Sequence, residues 1–267
     1  MNILFRLSRS PVLALAAASL VAAPGAGGMN EPEAAALLRD AAAAEARFDS
    51  RTALDLLLRL EPTRPDDAAL LQRISRQYSD LTVDAADTAE KKRLATQALA
   101  YAQRAAELAP HDAVNLLSVA ISYGKLGLYS DTRTRIEYSR FVRDYAERAL
   151  AVNPDYDYAH HVLGRWHYEV ARLGAATRLI VRLIYGGLPP ASTAEAVRHL
   201  ERAVALSPTL VSHRVELGLA LIANDQTDAG RSTLENALTL PTRKKYDDEA
   251  RRRARKALAE LAGRSAP

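Results

Sequence analysis

YAQRAAELAP (101–110), YAERALAVNP (145–154) and HLERAVALSP (199–208) repeat one device at three places in the chain: a helical run with alanine five residues before a proline. Proline lacks an amide hydrogen and its ring collides with the carbonyl four residues back, so each run must end before Pro110, Pro154 and Pro208. The alanines of these runs are Ala105, Ala149 and Ala203; the small residue that lets a partner helix approach closely is expected seven residues into the helix that follows each proline. A degenerate relative, ALDLLLRLEP, ends at Pro62, and LENALTLP ends at Pro241 with its alanine one place closer.

Beyond each of the three prolines a second helix is predicted in matching register, from Ala113, Asp157 and Val211. Seven residues into each stand Ala120, Gly164 and Gly218, preceded by Val119, Leu163 and Leu217. This pairing of helices with small residues at fixed places resembles the tetratricopeptide repeat, a helical hairpin of about 34 residues. The spacing departs from that rule: the prolines from Pro62 to Pro241 are 48, 44, 54 and 33 residues apart. Insertions near 129–140 and 174–190 must therefore lengthen helices or add new ones. The expected fold is all-α, a right-handed tetratricopeptide-like solenoid of about 11 or 12 helices with one concave face. It forms a single domain over 30–262, with a disordered tail at 263–267. Ser192 with Glu195 three places later suits a capping box. The last helix, 247–262, is expected to be the polar cap of the array.

Composition agrees with a helical globular protein. In 267 residues there are 12 Gly, 12 Pro and long stretches of Ala, Leu, Arg and Glu, without a convincing period-2 strand. No cysteine is present, which excludes disulfides, thiolate metal sites and acylation of a lipoprotein cysteine. At the N-terminus Arg6 and Arg9 precede an apolar run over 11–23 and a small-residue stretch. That run is short for a membrane span and fits a signal peptide over 1–26, cleaved near Ala23 or Ala26. The protein is then expected to be periplasmic or secreted, or anchored if the leader stays uncleaved; initiation at Met29 would instead leave it cytoplasmic. Without Arg6 and Arg9 the net charge of +4 falls to +2. The basic character lies in RKKYDDEARRRARK (243–256), with eight basic and three acidic residues. It is read as the solvated face of the last helix, and nucleic acid is not an expected partner.

AHHVLGRWHYEVARLG (159–174) holds three of the six histidines and the one tryptophan. Helical metal ligands usually stand three or four positions apart. Here the useful offsets from His160, His161 and His167 fall on Leu163, Gly164 and Arg165, so no metal site is expected. His111, His199 and His213 are scattered over other predicted elements. Register divides the motif instead. His160, Leu163, Gly164 and His167 face neighbouring helices, and Trp166 covers the adjacent insertion. Tyr158, His161, Arg165, Tyr168 and Glu169 face the groove. The same register sends Leu117, Ile121, Lys125, Val215, Leu219 and Ile222 toward it. Two explanations of this apolar wall stay open: inserted helices fill it and make it core, or it is a pocket for an apolar ligand whose anionic head meets Arg165, His161 and Tyr168. The segment ATRLIVRLIYGGLPP (176–190) is apolar on nearly every side and broken only by Arg178 and Arg182. Such a helix is expected to be buried in the solenoid, or else to lid an apolar groove. Gly186-Gly187 reads as a turn.

LGRWHYEVARL (163–173), followed by LPPASTAEAVRHLERAVALSP (188–208), resembles the regulator of microtubule dynamics family, as does ISYGKLG with the insertion after it. The likeness covers 85–261. It implies a helical adaptor without an enzyme site and, from one eukaryotic branch, phospholipid binding. The leader-like N-terminus and Ala/Arg-rich composition look bacterial, so the family name serves as a fold label. No GxSxG elbow, glycine-rich phosphate loop or HExxH pair is present, and no cofactor is expected. The expected function is a non-catalytic adaptor binding a protein partner in its concave groove. The alternative is a lipid-binding or lipid-transfer module, with a membrane surface as a further contact.

Overall fold

Short polar side chains set where the helices begin. In the computed structural model, which describes residues 29–265, the carboxylates of Asp49, Asp67, Asp87, Asp112 and Asp131 each accept a backbone N–H from the first turn that follows. Such caps satisfy donors that have no partner inside a helix. The helices are α1 (Glu31–Ala46), α2 (Ser50–Leu60), α3 (Ala68–Asp84), α4 (Thr88–Leu108), α5 (Ala113–Gly127) and α6 (Thr132–Val152). Then come α7 (Asp157–Ala171), α8 (Ala175–Tyr185), α9 (Thr193–Leu206), α10 (Val211–Ala223), α11 (Thr227–Thr239) and α12 (Asp247–Ser265). The described residues contain no strand. The expected leader over 1–26 lies outside them, as do the last two residues of the expected tail. Gly263 to Ser265 continue α12.

The repeated runs end where the prolines were expected to stop them. α4, α6 and α9 end two residues before Pro110, Pro154 and Pro208. In each, the carbonyl of the recurring alanine accepts the N–H of the C-cap residue at 2.9–3.0 Å, and Ala105, Ala149 and Ala203 are completely buried. Helices pair as α1/α2, α3/α4, α5/α6, α7/α9 and α10/α11, and α12 packs on the last pair. α3, α5, α7 and α10 also meet one after another, forming the inner layer, with α4, α6, α9 and α11 outside. The fold is a tetratricopeptide-like solenoid of 12 α-helices among the described residues.

Glycine permits the closest crossings. A Cβ added to Gly164 would stand 2.5 Å from Leu200 Cγ, and one on Gly218 would stand 2.7 Å from Leu234. These contacts join α7 to α9 and α10 to α11. The first insertion is absorbed by the length of α6, whose Ser139 carbonyl accepts the Trp166 indole N–H at 2.8 Å. Trp166 thus covers that insertion and is buried. The second insertion forms α8, ended by Gly186 and Gly187 at φ 74° and 82°, where the Gly187 N–H returns to the Val181 carbonyl.

The expected burial of the α8 segment is not what the structure has. Val181 is buried, but Leu179, Ile180, Leu183 and Ile184 are 53–74% exposed. The solenoid closes α7 directly onto α9 and leaves α8 outside, resting lightly on α6. Among the described residues no helix is long and apolar enough to cross a membrane.

Candidate functional site

The inner layer is not an open trough, because a strap over 242–246 lays Lys244, Lys245 and Tyr246 against it. Tyr246 donates its hydroxyl to Asp80 Oδ1 at 2.5 Å and accepts from Lys125 Nζ at 2.7 Å. Lys125 also donates to the Ser79 carbonyl at 2.7 Å. Lys245 Nζ reaches Asp84 at 2.6 Å and the Ser50 hydroxyl at 3.2 Å. Lys244 lies over the Tyr158 ring, 5.9 Å from its centroid. This strap therefore touches α2, α3, α5 and α7.

The strap has its own scaffold. Asp247 is fully buried, and its Oδ2 accepts the N–H groups of Arg243 and Lys244 at 2.7 and 2.9 Å. Arg251 donates to the Leu240 carbonyl and the Thr242 hydroxyl. The electrostatics suit a closed contact. Burial pushes the Lys125 ammonium down to about 8, with Asp80 opposing. Burial, then Asp80, drives the Tyr246 hydroxyl far above its ordinary value, so it remains a donor.

Each groove position read from the sequence now has a definite environment. Leu117 and Val215 are buried among core side chains, with Ile121, Leu219 and Ile222 packed beside them. Tyr168 is also buried, its ring covered by Arg172. Lys125 meets the strap, and Tyr158 stands between Lys244 and the edge of His213. Arg165 lies 3.8 Å from Glu216, a buried carboxylate also gripped by Arg253 of α12. Burial alone would push Glu216 up, but Arg165 and Arg253 hold it below the ordinary glutamate value. Arg165 is thus a counter-ion within the fold. Glu169 remains exposed. Leu117 and Val215 are thus core of the helix stack, but among the described residues no inserted helix fills the wall, because α8 stays outside.

The histidines called scattered are paired across helices. His161 Nδ1 meets His213 Nδ1 at 3.0 Å, and His213 Nε2 lies 3.2 Å from Asp157. His160 Nδ1 meets His199 Nδ1 at 3.0 Å, while His160 Nε2 reaches the Pro154 carbonyl. Burial pushes His161 down to about 3 and His199 to about 4, so both rings stay neutral near pH 7. His160, His161 and His167 do not converge on one point.

Sequence reasoning missed Ser50, Asp80, Asp84, Lys245, Tyr246 and Glu216. Their one local signal was an aromatic set inside a basic run, Lys244-Lys245-Tyr246. The reading of 243–256 as a solvated face holds for Arg252 and Arg255, which are exposed. It fails for Lys245, Arg251 and Arg253, which turn inward to partners. In the expected capping box, Ser192 Oγ does accept the Glu195 N–H at 3.1 Å. The Glu195 carboxylate, however, is taken by Arg198.

Comparison with known proteins agrees with this architecture. The family model described as "Regulator of microtubule dynamics protein 1-3" matches residues 37–262. Regulator of microtubule dynamics protein 3 of Xenopus laevis is 30% identical over 158 residues, 59% of this chain and 34% of that protein. Protein 1 of Bos taurus is 29% identical over 153 residues, 57% of this chain and 48% of that protein. Protein 2 of Homo sapiens is 23% identical over 197 residues, 73% of this chain and 48% of that protein. The chain thus spans from a third to a half of the relatives it matches. Among solved structures, a thermophilic tetratricopeptide protein of Thermus thermophilus aligns with a TM-score of 0.61 at 20% identity. The alignment covers 85% of this chain and 99% of that one.

Proposed function

The chain belongs to the regulator of microtubule dynamics family, and from that premise we propose a non-catalytic scaffold whose concave wall binds an extended segment of a protein partner, in the place its own strap now takes. The observation that carries this reading is the set of strap contacts. Asp80, Asp84 and Ser50 receive a lysine and a tyrosine through side-chain bonds, the kind of recognition an extended basic and aromatic peptide would meet. The microtubule role in the relatives' names concerns longer proteins, and the scaffold reading stands without it.

A peptide supplied in trans tests it. The double variant Lys245→Ala/Tyr246→Ala frees Asp80, Asp84 and Ser50 of the strap's side chains while Asp247 and Arg251 keep α12 in place. A labelled TRKKYDD peptide is expected to bind this variant saturably by fluorescence polarisation, and to bind the unaltered chain far less. Equal binding to both proteins, or none to a variant with native circular dichroism, would refute the reading.

A second reading rests on α8. Its exposed Leu179, Ile180, Leu183 and Ile184, with Arg178 and Arg182 on the same short helix, suit insertion into the interface of an anionic lipid surface. Vesicles of phosphatidylglycerol should then sediment the protein in low salt, and Leu183→Asp/Ile184→Asp should abolish it. Failure to sediment excludes that contact.

A further inference from the structure

His167, Glu195 and His199 come together from two helices, α7 and α9. Their nitrogen and oxygen ligand atoms all lie within 4.8 Å of one another. Glu195 and His199 stand four residues apart on α9, the spacing that puts two ligands on one helical face, and His167 arrives from α7. Reading α7 alone for ligand spacing could not have found this set, because two of its members lie on another helix.

The hydrogen bonds leave this cluster prepared for a cation. His160 Nε2 lies 2.9 Å from the Pro154 carbonyl, which can only accept, so the proton sits on Nε2 and His160 Nδ1 is an acceptor. His199 must then donate from Nδ1 to His160, which leaves the lone pair of a neutral His199 on Nε2. That nitrogen is 3.1 Å from the Arg198 guanidinium, which also grips Glu195. A ligand histidine whose other nitrogen donates to an outer partner is the usual arrangement around a metal. His167, also buried, has a buried Nδ1 with no hydrogen-bond partner. A buried polar atom left unpaired carries a cost that a ligand would remove.

We propose that His167, Glu195 and His199 form a binding site for a divalent transition-metal ion of the Zn²⁺ type, stapling α7 to α9. Two imidazoles and one carboxylate are a donor set suited to Zn²⁺, with water as the fourth ligand. The edge of a zinc tetrahedron is about 3.3 Å for bonds of about 2.0–2.1 Å, so the three groups must draw in. Glu195 is half-exposed and supplies the movement. Arg198, 61% exposed at its side chain, is the cation that the metal displaces.

Trp166, the one tryptophan, reports on the site because its ring centroid is 5.1 Å from that of His167. Titrating the full chain with Co²⁺ is expected to give the visible bands of a tetrahedral ion and to quench Trp166, both saturating at one equivalent and both reversed by Zn²⁺. Glu195→Gln and His167→Ala should each weaken binding at least ~10-fold, the equivalent of losing one charged contact. Arg198→Ala should tighten it by a similar factor, a gain that a merely structural cluster would not show. His111→Ala, in an exposed turn, should change nothing. Absence of a one-equivalent endpoint, or unchanged affinity in Glu195→Gln with native circular dichroism, would overturn the proposal.

Discussion

Removing one oxygen atom from Tyr246 should loosen the strap and destabilise the whole array. In Tyr246→Phe the ring keeps its packing, but Lys125 loses its hydroxyl acceptor at 2.7 Å and Asp80 its donor at 2.5 Å. Lys125 retains the Ser79 carbonyl and the more distant Thr82 hydroxyl. Asp80 is only partly buried and can recover water. Hydrogen bonds to charged groups contribute about 1.5–3 kcal/mol each, and the Asp80 share is the smaller, so the loss should be about 2–3 kcal/mol. For a domain of this size that is a fall in Tm of roughly 4–12 °C. Urea denaturation of the single variants Tyr246→Phe and Lys125→Met, and of the pair, isolates the interaction. Methionine removes the buried ammonium, so the double variant should be less destabilised than the sum of the singles by at least about 1 kcal/mol. A Tyr246→Phe protein within about 0.5 kcal/mol of the parent, a typical surface effect, would refute this account of the strap.

Stability should fall as the solution is acidified. The folded chain holds His161 and His199 at about 3 and about 4, whereas the unfolded chain protonates both near 6.5. The unfolded state therefore gains protons first. Stability is full above about pH 6.5 and declines toward pH 4, with a slope of at most ~2.7 kcal/mol per pH unit for two protons. Urea midpoints in EDTA between pH 7.5 and 4.5 would show this slope, and His199→Asn should flatten it. Gly124→Ala should raise thermal stability, whereas Gly218→Ala should leave it unchanged or lower it. At Gly124 the new methyl meets Val142 at an ordinary 3.7 Å and gains about 1 kcal/mol of helix propensity. At Gly218 it meets Leu234 at 2.7 Å and the Gly230 carbonyl at 3.1 Å, an overpacking cost of about 1–3 kcal/mol that cancels or exceeds the same gain. Arg165→Glu should destabilise by about 1–2 kcal/mol in denaturant melts, since it leaves the buried Glu216 with Arg253 alone.

The fold was legible because its signals are local. Ala105, Ala149 and Ala203 precede proline at a constant offset, and that offset alone placed the ends of three helices and the starts of α5, α7 and α10. Gly164 and Gly218 stood out because, with Ala120, they are small residues recurring seven places into helices of matching register. The site was harder to see, since its partners are far apart in the chain: Tyr246 meets Asp80 across 166 residues. His199 and His213 looked isolated for the same reason, each meeting its partner histidine only through the stacking of hairpins. The α8 helix misled because an apolar composition predicts burial, and a helix left outside the stack breaks that inference.

The absence of cysteine from the chain permits a direct test of the central claim. Asp84→Cys/Lys245→Cys introduces a unique pair where two side chains now touch at 2.6 Å. A short bismaleimide should link the pair within the monomer in high yield. An Asp84→Cys/Lys256→Cys control, whose second site is exposed on α12, should not link. Equal, negligible linking in both proteins would mean that residues 244–246 do not lie against α3 and the inner layer.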